Sequence, residues 1–430
     1  MRSIKFSLSK KQITGWDAAA ILMETYLSAG AKADQVLGQL PEDFIGERRA
    51  GCQSLFLGAL RHGHRARAAF SPMLRKPARP LVEAILLVAS YEFLSEPPER
   101  HPKIVHHAVE RSKRLVNRFE QGFLNAVLRK LPNALSAISV ESNPADYHSH
   151  PNWLVKRWTM EFGHENTAAL LNWNQRIPEK YIKLYQEPDI IPTSLQATEW
   201  KNFYRILPTA DWKAEIEPLL NQGTAYIKDP STRLAPEILA PNPGDNVLDL
   251  CAAPGGKAYD LAHLMKRKGR IVAVDLPGNR INHLRENLKN LEQKGLKPGL
   301  LEHDVRELEE SIFTENNLPG SYDCVMLDAP CSNTGVIQRR TDVKWRLNER
   351  DIKQCAALQL ELLTKASKFV KAGARLVYST CSIETQENEK VVEQFLSSEA
   401  GVEFKKVGAV TSRPWETGHD GAGAFLLERV

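Results

Sequence analysis

From residue 246 to the carboxyl end, short apolar runs alternate with stretches of helical composition. The predicted strands are residues 247–250, 270–274, 299–302, 324–327 and 375–378. The predicted helices between them are residues 257–266, 280–294, 350–370 and 384–396. This order of strands and helices is typical of an α/β fold with a doubly wound, mostly parallel Rossmann-like sheet that has helices on both faces.

The pattern before that sheet is different. Residues 17 to about 135 are helical throughout, with apolar side chains at three- and four-residue spacing and prolines between the segments. The polar, proline-flanked stretch 143–151 predicts a linker, and one or two helices over 153–174 and short strands near Tyr181, Phe203 and Ala225 follow it. We therefore expect three domains. They are an all-α bundle (1–140), a linker with a small α+β subdomain (141–235) and the α/β sheet (236–430).

The net charge of +5 is unevenly distributed along the chain. Residues 1–140 contain 21 Lys and Arg against 12 Asp and Glu, a net charge of +9, whereas the rest of the chain has a net charge of −4. A basic front domain predicts a polyanionic partner, most often nucleic acid. Charge alone also allows a plain solvated surface.

The six cysteines, at positions 52, 251, 324, 331, 355 and 381, contain no CxxC pair. This spacing argues against a zinc ribbon and a disulfide scaffold, and it favours free thiols in a reducing cytoplasm. The apolar stretch 81–89 is far shorter than a membrane span, and the amino terminus has no apolar core of the signal-peptide type. We expect a cytoplasmic monomer without a metal or a membrane segment.

Cys331 and Cys381 each follow a predicted strand directly. Ligands of open parallel sheets bind outside the carboxyl ends of the strands, so both thiols are predicted to open into one crevice. Two thiols there indicate covalent chemistry on a substrate. The expectation for Cys52, Cys324 and Cys355 is instead that they are buried apolar residues.

A glycine-rich loop follows the first strand of the sheet. In Pro254-Gly255-Gly256 the backbone can approach a ligand closely, and the helix after Lys257 presents free N–H groups. Acids follow the next three strands, at Asp275, Asp304 and Asp328, which favours an adenosyl ligand. The loop lacks the G-x-G-x-x-G spacing of NAD sites, and S-adenosylmethionine, which has no pyrophosphate, fits it better.

Together these motifs resemble the Sun/Fmu family of RNA 5-methylcytosine methyltransferases, in particular the RsmB type with a NusB-like front domain. The resemblance rests on Asp249-Leu250-Cys251-Ala252-Ala253-Pro254-Gly255-Gly256-Lys257, Leu327-Asp328-Ala329-Pro330-Cys331-Ser332 and Tyr378-Ser379-Thr380-Cys381-Ser382. It continues through Thr334-Gly335-Val336-Ile337 and Asp342-Val343-Lys344-Trp345, and residues 123–131 are similar to a NusB-type helix.

The resemblance implies a role for each motif. The loop Cys251, Ala252, Ala253, Pro254, Gly255, Gly256 and Lys257 would hold the methionine portion of S-adenosylmethionine. Asp275 would take the ribose hydroxyls and Asp304 the adenine amino group, and Asp328 would lie between the cofactor and the target base. Cys381 would be the nucleophile and Cys331 would assist release of the product. Lys344 and Arg346 are candidates for contact with RNA, with a surface salt bridge as the alternative.

The chain departs from the family pattern at four places. Ala258 stands where threonine is common, Leu276-Pro277 after Asp275 is atypical, and His303 replaces a glycine. Lys183-Leu184-Tyr185 occupies the position of an Arg-Val-Asn-like segment. None of these departures touches the two cysteines or Asp328.

Two other methyltransferase classes compete with this interpretation. Amino-group methyltransferases carry an Asn/Asp-Pro-Pro-aromatic turn where this chain has Asp328-Ala329-Pro330-Cys331, and DNA cytosine methyltransferases use a Pro-Cys nucleophile at this position. The second cysteine and the NusB-like front favour RNA. We therefore predict an RNA cytosine-5 methyltransferase that acts on 16S ribosomal RNA. The alternatives are the same chemistry on tRNA or another RNA, and an RNA-binding scaffold with a relic site.

Overall fold

The computed structural model describes residues 13–430, which form two compact units. The first unit runs to Ile177 and includes the segment Ile337–Arg346, and the second comprises Pro178–Val336 and Leu347–Val430. The predicted division into three domains stays a prediction, and its first 12 residues lie outside the described part of the chain. Within residues 13–430, no helix is both long and apolar enough to span a bilayer.

The first unit is helical, as predicted. Its helices before Ile177 are α1 (Gly15–Ala29), α2 (Ala33–Leu37), α3 (Gly46–Phe70), α4 (Pro80–Ser95), α5 (His101–Ser112), α6 (Arg118–Leu128), α7 (Leu131–Ser136), α8 (Pro144–Tyr147) and α9 (Asn152–Gln175). Thr14 caps α1 by accepting a hydrogen bond from the backbone N–H of Asp17, and Asn117 caps α6 in the same way. Pro80 is the first residue of α4, where its missing N–H costs nothing.

The predicted linker 143–151 is folded. Asn143 caps α8 by accepting a hydrogen bond from the Asp146 N–H, and the Ser149 hydroxyl accepts a hydrogen bond from the His64 N–H over 2.8 Å. Ser149 and His150 are buried. Polar residues at these positions therefore satisfy backbone groups inside the first unit, and the reading of this stretch as a linker is corrected.

The second unit contains all the strands of the described chain. They are β1 (Tyr181–Leu184), β2 (Leu195–Ala197), β3 (Phe203–Ile206), β4 (Ala225–Ile227), β5 (Asn246–Leu250), β6 (Arg270–Asp275), β7 (Lys297–Glu302), β8 (Tyr322–Asp328), β9 (Val370–Thr380), β10 (Phe404–Ser412) and β11 (Ala422–Arg429). The first four form a small antiparallel sheet in the order β2-β3-β1-β4. The predicted small α+β region therefore has a sheet of four strands.

The remaining helices are α10 (Glu217–Asn221), α11 (Leu234–Leu239), α12 (Gly256–Leu264), α13 (Asn279–Glu292), α14 (Glu310–Glu315), α15 (Val343–Arg346), α16 (Glu349–Ser367), α17 (Glu389–Leu396) and α18 (Pro414–Thr417). Of these, α15 belongs to the first unit.

The large sheet has the strand order β10-β11-β9-β8-β5-β6-β7. The five strands from β9 to β7 are parallel, and β11 and β10 add an antiparallel edge. Consecutive residues of β5, Val247 and Leu248, are buried in two different apolar clusters on opposite faces of the sheet. The predicted doubly wound, mostly parallel sheet is confirmed, and its parallel strands bring their carboxyl ends to one edge.

Candidate active site at the carboxyl ends of the strands

The loop after β5 turns sharply into α12. Cys251 has a left-handed backbone with φ of 60°, and Gly255 has φ of 100°. A Cβ atom at Gly255 would lie 3.0 Å from Leu284 Cδ1 and 3.2 Å from Asn287 Cβ. The Asn287 amide donates a hydrogen bond to the Pro254 carbonyl over 2.7 Å. The left-handed backbone therefore favours glycine at Gly255, and a side chain there would also crowd Leu284 and Asn287.

Two aspartates lie beside this loop. Asp275 at the end of β6 accepts hydrogen bonds from the Ala253 N–H over 2.7 Å and from the Leu276 N–H over 2.8 Å. Asp249 is fully buried on β5, and neither of its carboxyl oxygens has a hydrogen-bond partner within residues 13–430. Burial, followed by the neighbouring Asp328 carboxylate, raises the pKa of Asp249 well above its usual range. An unpaired acid beside a close-turning loop fits a small ligand with polar groups.

Asp304 follows β7, and its carboxylate is engaged within its own turn. It accepts hydrogen bonds from the backbone N–H of Arg306 over 2.9 Å and from the Arg306 guanidinium over 2.6 Å. These bonds from Arg306 lower the pKa of Asp304. The predicted adenine contact stays a prediction, and a base amino group would share this carboxylate with Arg306.

The structure brings the two candidate thiols together. Cys331 follows β8 and Cys381 follows β9, neighbouring parallel strands, and their Sγ atoms are 3.2 Å apart. Both side chains are half-buried. Asn333 contacts both loops, because its Nδ2 donates to the Cys331 carbonyl over 2.7 Å and its Oδ1 lies 3.3 Å from Cys381 Sγ.

Several groups around Cys331 disfavour its ionisation. The hydrogen bond with Cys381, followed by burial and by the charges of Cys381 and Glu387, raises the pKa of Cys331 well above its usual range. Either sulfur can be the donor in the contact between the two thiols, and the Cys381 thiol is also placed to donate to Asn333 Oδ1.

Asp328, the last residue of β8, forms an ion pair with Lys257 from the glycine loop. The Ser379 hydroxyl donates to the Asp328 carboxylate over 3.1 Å. Burial is the largest single effect on Lys257 and lowers its pKa, but the charge of Asp328, the hydrogen bond to it and the charges of Cys381 and Asp249 together outweigh burial, so the pKa of this lysine lies above its usual value. The ion pair thus links the cofactor-type loop to the strand that leads to Cys331.

Glu387 is a buried carboxylate that the motifs did not predict as a site residue. It accepts hydrogen bonds from the Ser332 N–H over 2.8 Å, the Ser382 hydroxyl over 2.8 Å and the Gln359 amide over 2.9 Å. Ser332 and Ser382 each follow one of the two cysteines directly. Glu387 therefore fixes the two cysteine loops relative to each other.

The two predicted RNA contacts differ in exposure, because Lys344 is buried and Arg346 is exposed. Lys344 in α15 is 1% exposed, and its ammonium contacts the Arg61 carbonyl over 2.5 Å. Arg346 donates to the Asp342 carboxylate over 2.9 Å. A phosphate contact by Lys344 would require the side chain to leave this position, so its role toward RNA stays a prediction without geometric support.

The other cysteines differ in exposure. Cys52 and Cys324 are fully buried, as expected, whereas Cys355 is half-buried. Burial raises the pKa of Cys251, so this thiol is protonated and its contribution to the loop is through the backbone. In the described part of the chain, no group of three or more His, Cys, Asp and Glu side chains is placed to hold a metal ion.

Comparison with known proteins agrees with these motifs. Residues 236–424 match the family model described as 16S rRNA methyltransferase RsmB/F, and residues 18–133 match the NusB family model. Proteins named ribosomal RNA small subunit methyltransferase B from Escherichia coli O6:H1 and from Shigella sonnei are 28% identical to the chain over 416 residues. The match covers 93% of this chain and 94% of each relative.

Solved structures have the same fold. The crystal structure of PH0851 has a TM-score of 0.74 at 24% identity and covers 98% of this chain and 100% of that one. A methyltransferase homologue from Pyrococcus horikoshii has a TM-score of 0.55 at 25% identity, covering 66% and 97%. The resemblance predicted from the motifs is confirmed.

Proposed function

We propose that this chain methylates carbon 5 of a cytidine in RNA. Its residues 236–424 match the RsmB/F family of 16S rRNA methyltransferases, and its residues 18–133 match the NusB family. The observation that carries this proposal is the pair of half-buried thiols 3.2 Å apart, at the ends of β8 and β9. Two facing thiols suit a reaction that first adds a nucleophile to a ring and then eliminates it.

The glycine loop is the proposed site of S-adenosylmethionine. Residues 251–257 would hold its methionine portion, Asp275 the ribose hydroxyls and Asp304 the adenine amino group. The unpaired carboxyl of Asp249 and the close backbone turn at Gly255 support a small polar ligand here. When bound, the cofactor supplies an electrophilic methyl group.

Cys381 is the proposed nucleophile. Carbon 5 of cytosine is a poor nucleophile until a thiolate adds to carbon 6, which breaks the aromaticity and makes carbon 5 an enamine carbon. A hydrogen bond from the Cys331 thiol, whose sulfur is 3.2 Å away, would stabilise the Cys381 thiolate before that addition. The raised pKa of Cys331 suits this role of hydrogen-bond donor.

Cys331 is the proposed assistant in product release. The main cause that raises its pKa is the hydrogen bond with Cys381. Once the Cys381 sulfur is bonded to carbon 6 it is a thioether, and this cause is removed. Cys331 can then give its proton to solvent, and its thiolate accepts the proton that carbon 5 loses as the bond between carbon 6 and sulfur breaks and Cys381 leaves as a thiolate.

The Asp328–Lys257 ion pair is the proposed electrostatic partner of the ring. A carboxylate here can accept a hydrogen bond from the amino group of cytosine, and the Lys257 ammonium offsets negative charge that develops on the pyrimidine. Because Lys257 is also part of the glycine loop, the same pair orients the base side and the cofactor side of the site.

Small-subunit ribosomal RNA is the proposed substrate. The net charge of +9 in residues 1–140 and the names of the 28%-identical relatives support it. The target cytidine must be unpaired or flipped out of a stem to reach the thiols. Transfer RNA or another RNA is the second candidate.

The test combines methyl transfer with base mapping. The purified protein is incubated with labelled S-adenosylmethionine and either small-subunit rRNA or tRNA, and modified cytidines are located by bisulfite sequencing. We expect one rRNA cytidine to be methylated, and no methylation by Cys381→Ser. Methylation of tRNA alone would make tRNA the substrate in place of small-subunit rRNA. Label on an exocyclic nitrogen would refute cytosine-5 chemistry.

A further inference from the structure

A buried cluster of charged and polar residues surrounds Asp260 in the first half of α12, outside the thiol site. It contains Lys183 on β1, Tyr185 just after β1, Lys228 just after β4, and Asp260 on α12. All four side chains are buried. The cluster joins the small antiparallel sheet to the helix that begins at the glycine loop, and the mechanism above does not use it.

Asp260 is the centre of the cluster. Lys183 donates to one of its carboxylate oxygens over 2.8 Å, as does the Tyr185 hydroxyl, and Lys228 pairs with the other oxygen. Burial alone would raise the pKa of Asp260, but the two ammonium groups outweigh burial and lower it. Two lysines therefore face one carboxylate, which is more positive charge than neutralising Asp260 requires.

The second lysine has a further partner. The Lys228 ammonium donates to the Gly256 carbonyl over 2.8 Å and to the Tyr185 hydroxyl over 3.1 Å. That carbonyl belongs to the peptide unit that joins Gly256 to Lys257. Lys257 in turn forms the ion pair with Asp328. Lys183 has a hydrogen bond to Asp260 but none to the glycine loop.

We propose that Lys228 is a positioning residue, which holds the Gly256–Lys257 peptide against Asp260 and thereby sets the glycine loop for the methyl donor. The inference rests on the proposed binding of S-adenosylmethionine by this loop. The Lys183-Leu184-Tyr185 segment packs in the same cluster, where Lys183 and Tyr185 each donate to Asp260 and make no hydrogen bond to the glycine loop. The small sheet is thus part of the support of the cofactor site.

Lys183 provides a matched control, because both lysines are buried and both pair with Asp260. Lys228→Met and Lys183→Met each leave Asp260 with one lysine, but only Lys228→Met removes the bond to Gly256. We expect Lys228→Met to weaken S-adenosylmethionine binding at least tenfold, and Lys183→Met to change it less than threefold. Lys228→Gln retains a hydrogen-bond donor on a side chain that is one atom shorter, and it should restore part of the affinity.

The pH dependence separates positioning from packing. Burial lowers the pKa of Lys228 to about 8, against the raising effect of Asp260. The titratable groups that face Lys228 are Asp260, Lys183, Lys257, Tyr185 and Tyr226. A lysine whose folded pKa is lowered opposes folding below that pKa, so its effect on stability becomes more favourable as pH rises from 8 to 10.5. If the charged ammonium positions the glycine loop, cofactor affinity should instead fall as pH rises through about 8, so it changes in the direction opposite to folding stability.

The experiment is isothermal calorimetry of S-adenosylmethionine on the full chain and the three variants, from pH 7 to pH 9, with thermal unfolding of each. The inference predicts a wild-type affinity that falls across this range and a Lys228→Met affinity that is low and flat. Equal loss of affinity in Lys228→Met and Lys183→Met would overturn it, as would unchanged affinity in a folded Lys228→Met. Absence of binding by the wild-type protein would instead refute the proposed function.

Discussion

Replacement of Glu387 by alanine should disable the two cysteine loops together. The side chain is fully buried and accepts three hydrogen bonds, from Ser332, Ser382 and Gln359. The Ser382 hydroxyl can turn to Thr334, whose Oγ1 is 3.0 Å away, and the Gln359 amide keeps the Pro330 carbonyl at 2.9 Å, so the Ser332 N–H is the donor that loses its acceptor. A buried donor without a partner costs about 1–3 kcal/mol, and this is the expected loss in the free energy of unfolding.

The measurement is denaturant unfolding followed by circular dichroism, with single-turnover methyl transfer on the same samples. Methyl transfer should fall at least tenfold, because Ser332 and Ser382 adjoin the two thiols. Glu387→Gln keeps an acceptor for the Ser332 N–H and should lose less than about 1 kcal/mol. The control is Glu393→Ala on the exposed side of α17, expected within about 0.5 kcal/mol of wild type. A Glu387→Ala variant with wild-type stability and activity would refute the reasoning.

Three further outcomes are expected. Asp275→Ala should weaken S-adenosylmethionine binding at least tenfold by calorimetry, and a preference for NAD would contradict the cofactor assignment. Burial raises the pKa of Glu92 from 4.5 to about 7, so this carboxyl ionises more easily in the unfolded chain than in the folded one. The free energy of unfolding of the first unit should therefore fall by about 3 kcal/mol as pH rises from 4.5 to 7. Glu92→Gln, which can still accept the Trp16 hydrogen bond, should therefore unfold at a higher temperature than wild type at pH 8 and equally at pH 4. Arg114, Arg118 and Lys130 are exposed cations of the first unit. Replacing all three with glutamine should lower the slope of log affinity against log salt concentration for RNA binding by about 2–3, without changing cofactor affinity. An unchanged slope would show that this face does not contact phosphate.

The sequence predicted the parts of the fold that depend on local pattern. The five parallel strands lie where the apolar runs indicated, and β9 extends beyond the predicted 375–378 to Val370–Thr380. The edge strands β10 and β11 were not predicted. Exposed lysines such as Lys405 interrupt the apolar pattern of β10, and antiparallel pairing of β11 with β9 joins segments distant in sequence.

The local sequence pattern could not predict which polar side chains are buried. Glu387 is surrounded by donors from three separate segments, so no short motif contains the network. Lys344 was expected to face RNA, but α15 is only four residues long and shows no periodicity. The ammonium of Lys344 instead contacts the Arg61 carbonyl in α3, 283 positions earlier in the chain. The proximity of Cys331 and Cys381, by contrast, follows from their places after two strands of one parallel sheet.

The assignment of Cys381 as nucleophile is tested most directly by the covalent protein–RNA complex. Cys381→Ala and Cys331→Ala are each incubated with labelled substrate RNA and S-adenosylmethionine and separated on a denaturing gel. The account predicts no complex and no methyl transfer with Cys381→Ala, and a denaturant-stable complex that accumulates with Cys331→Ala, because addition occurs but release fails. A complex that persists in Cys381→Ala and disappears in Cys331→Ala would contradict the account and indicate a DNA-type mechanism.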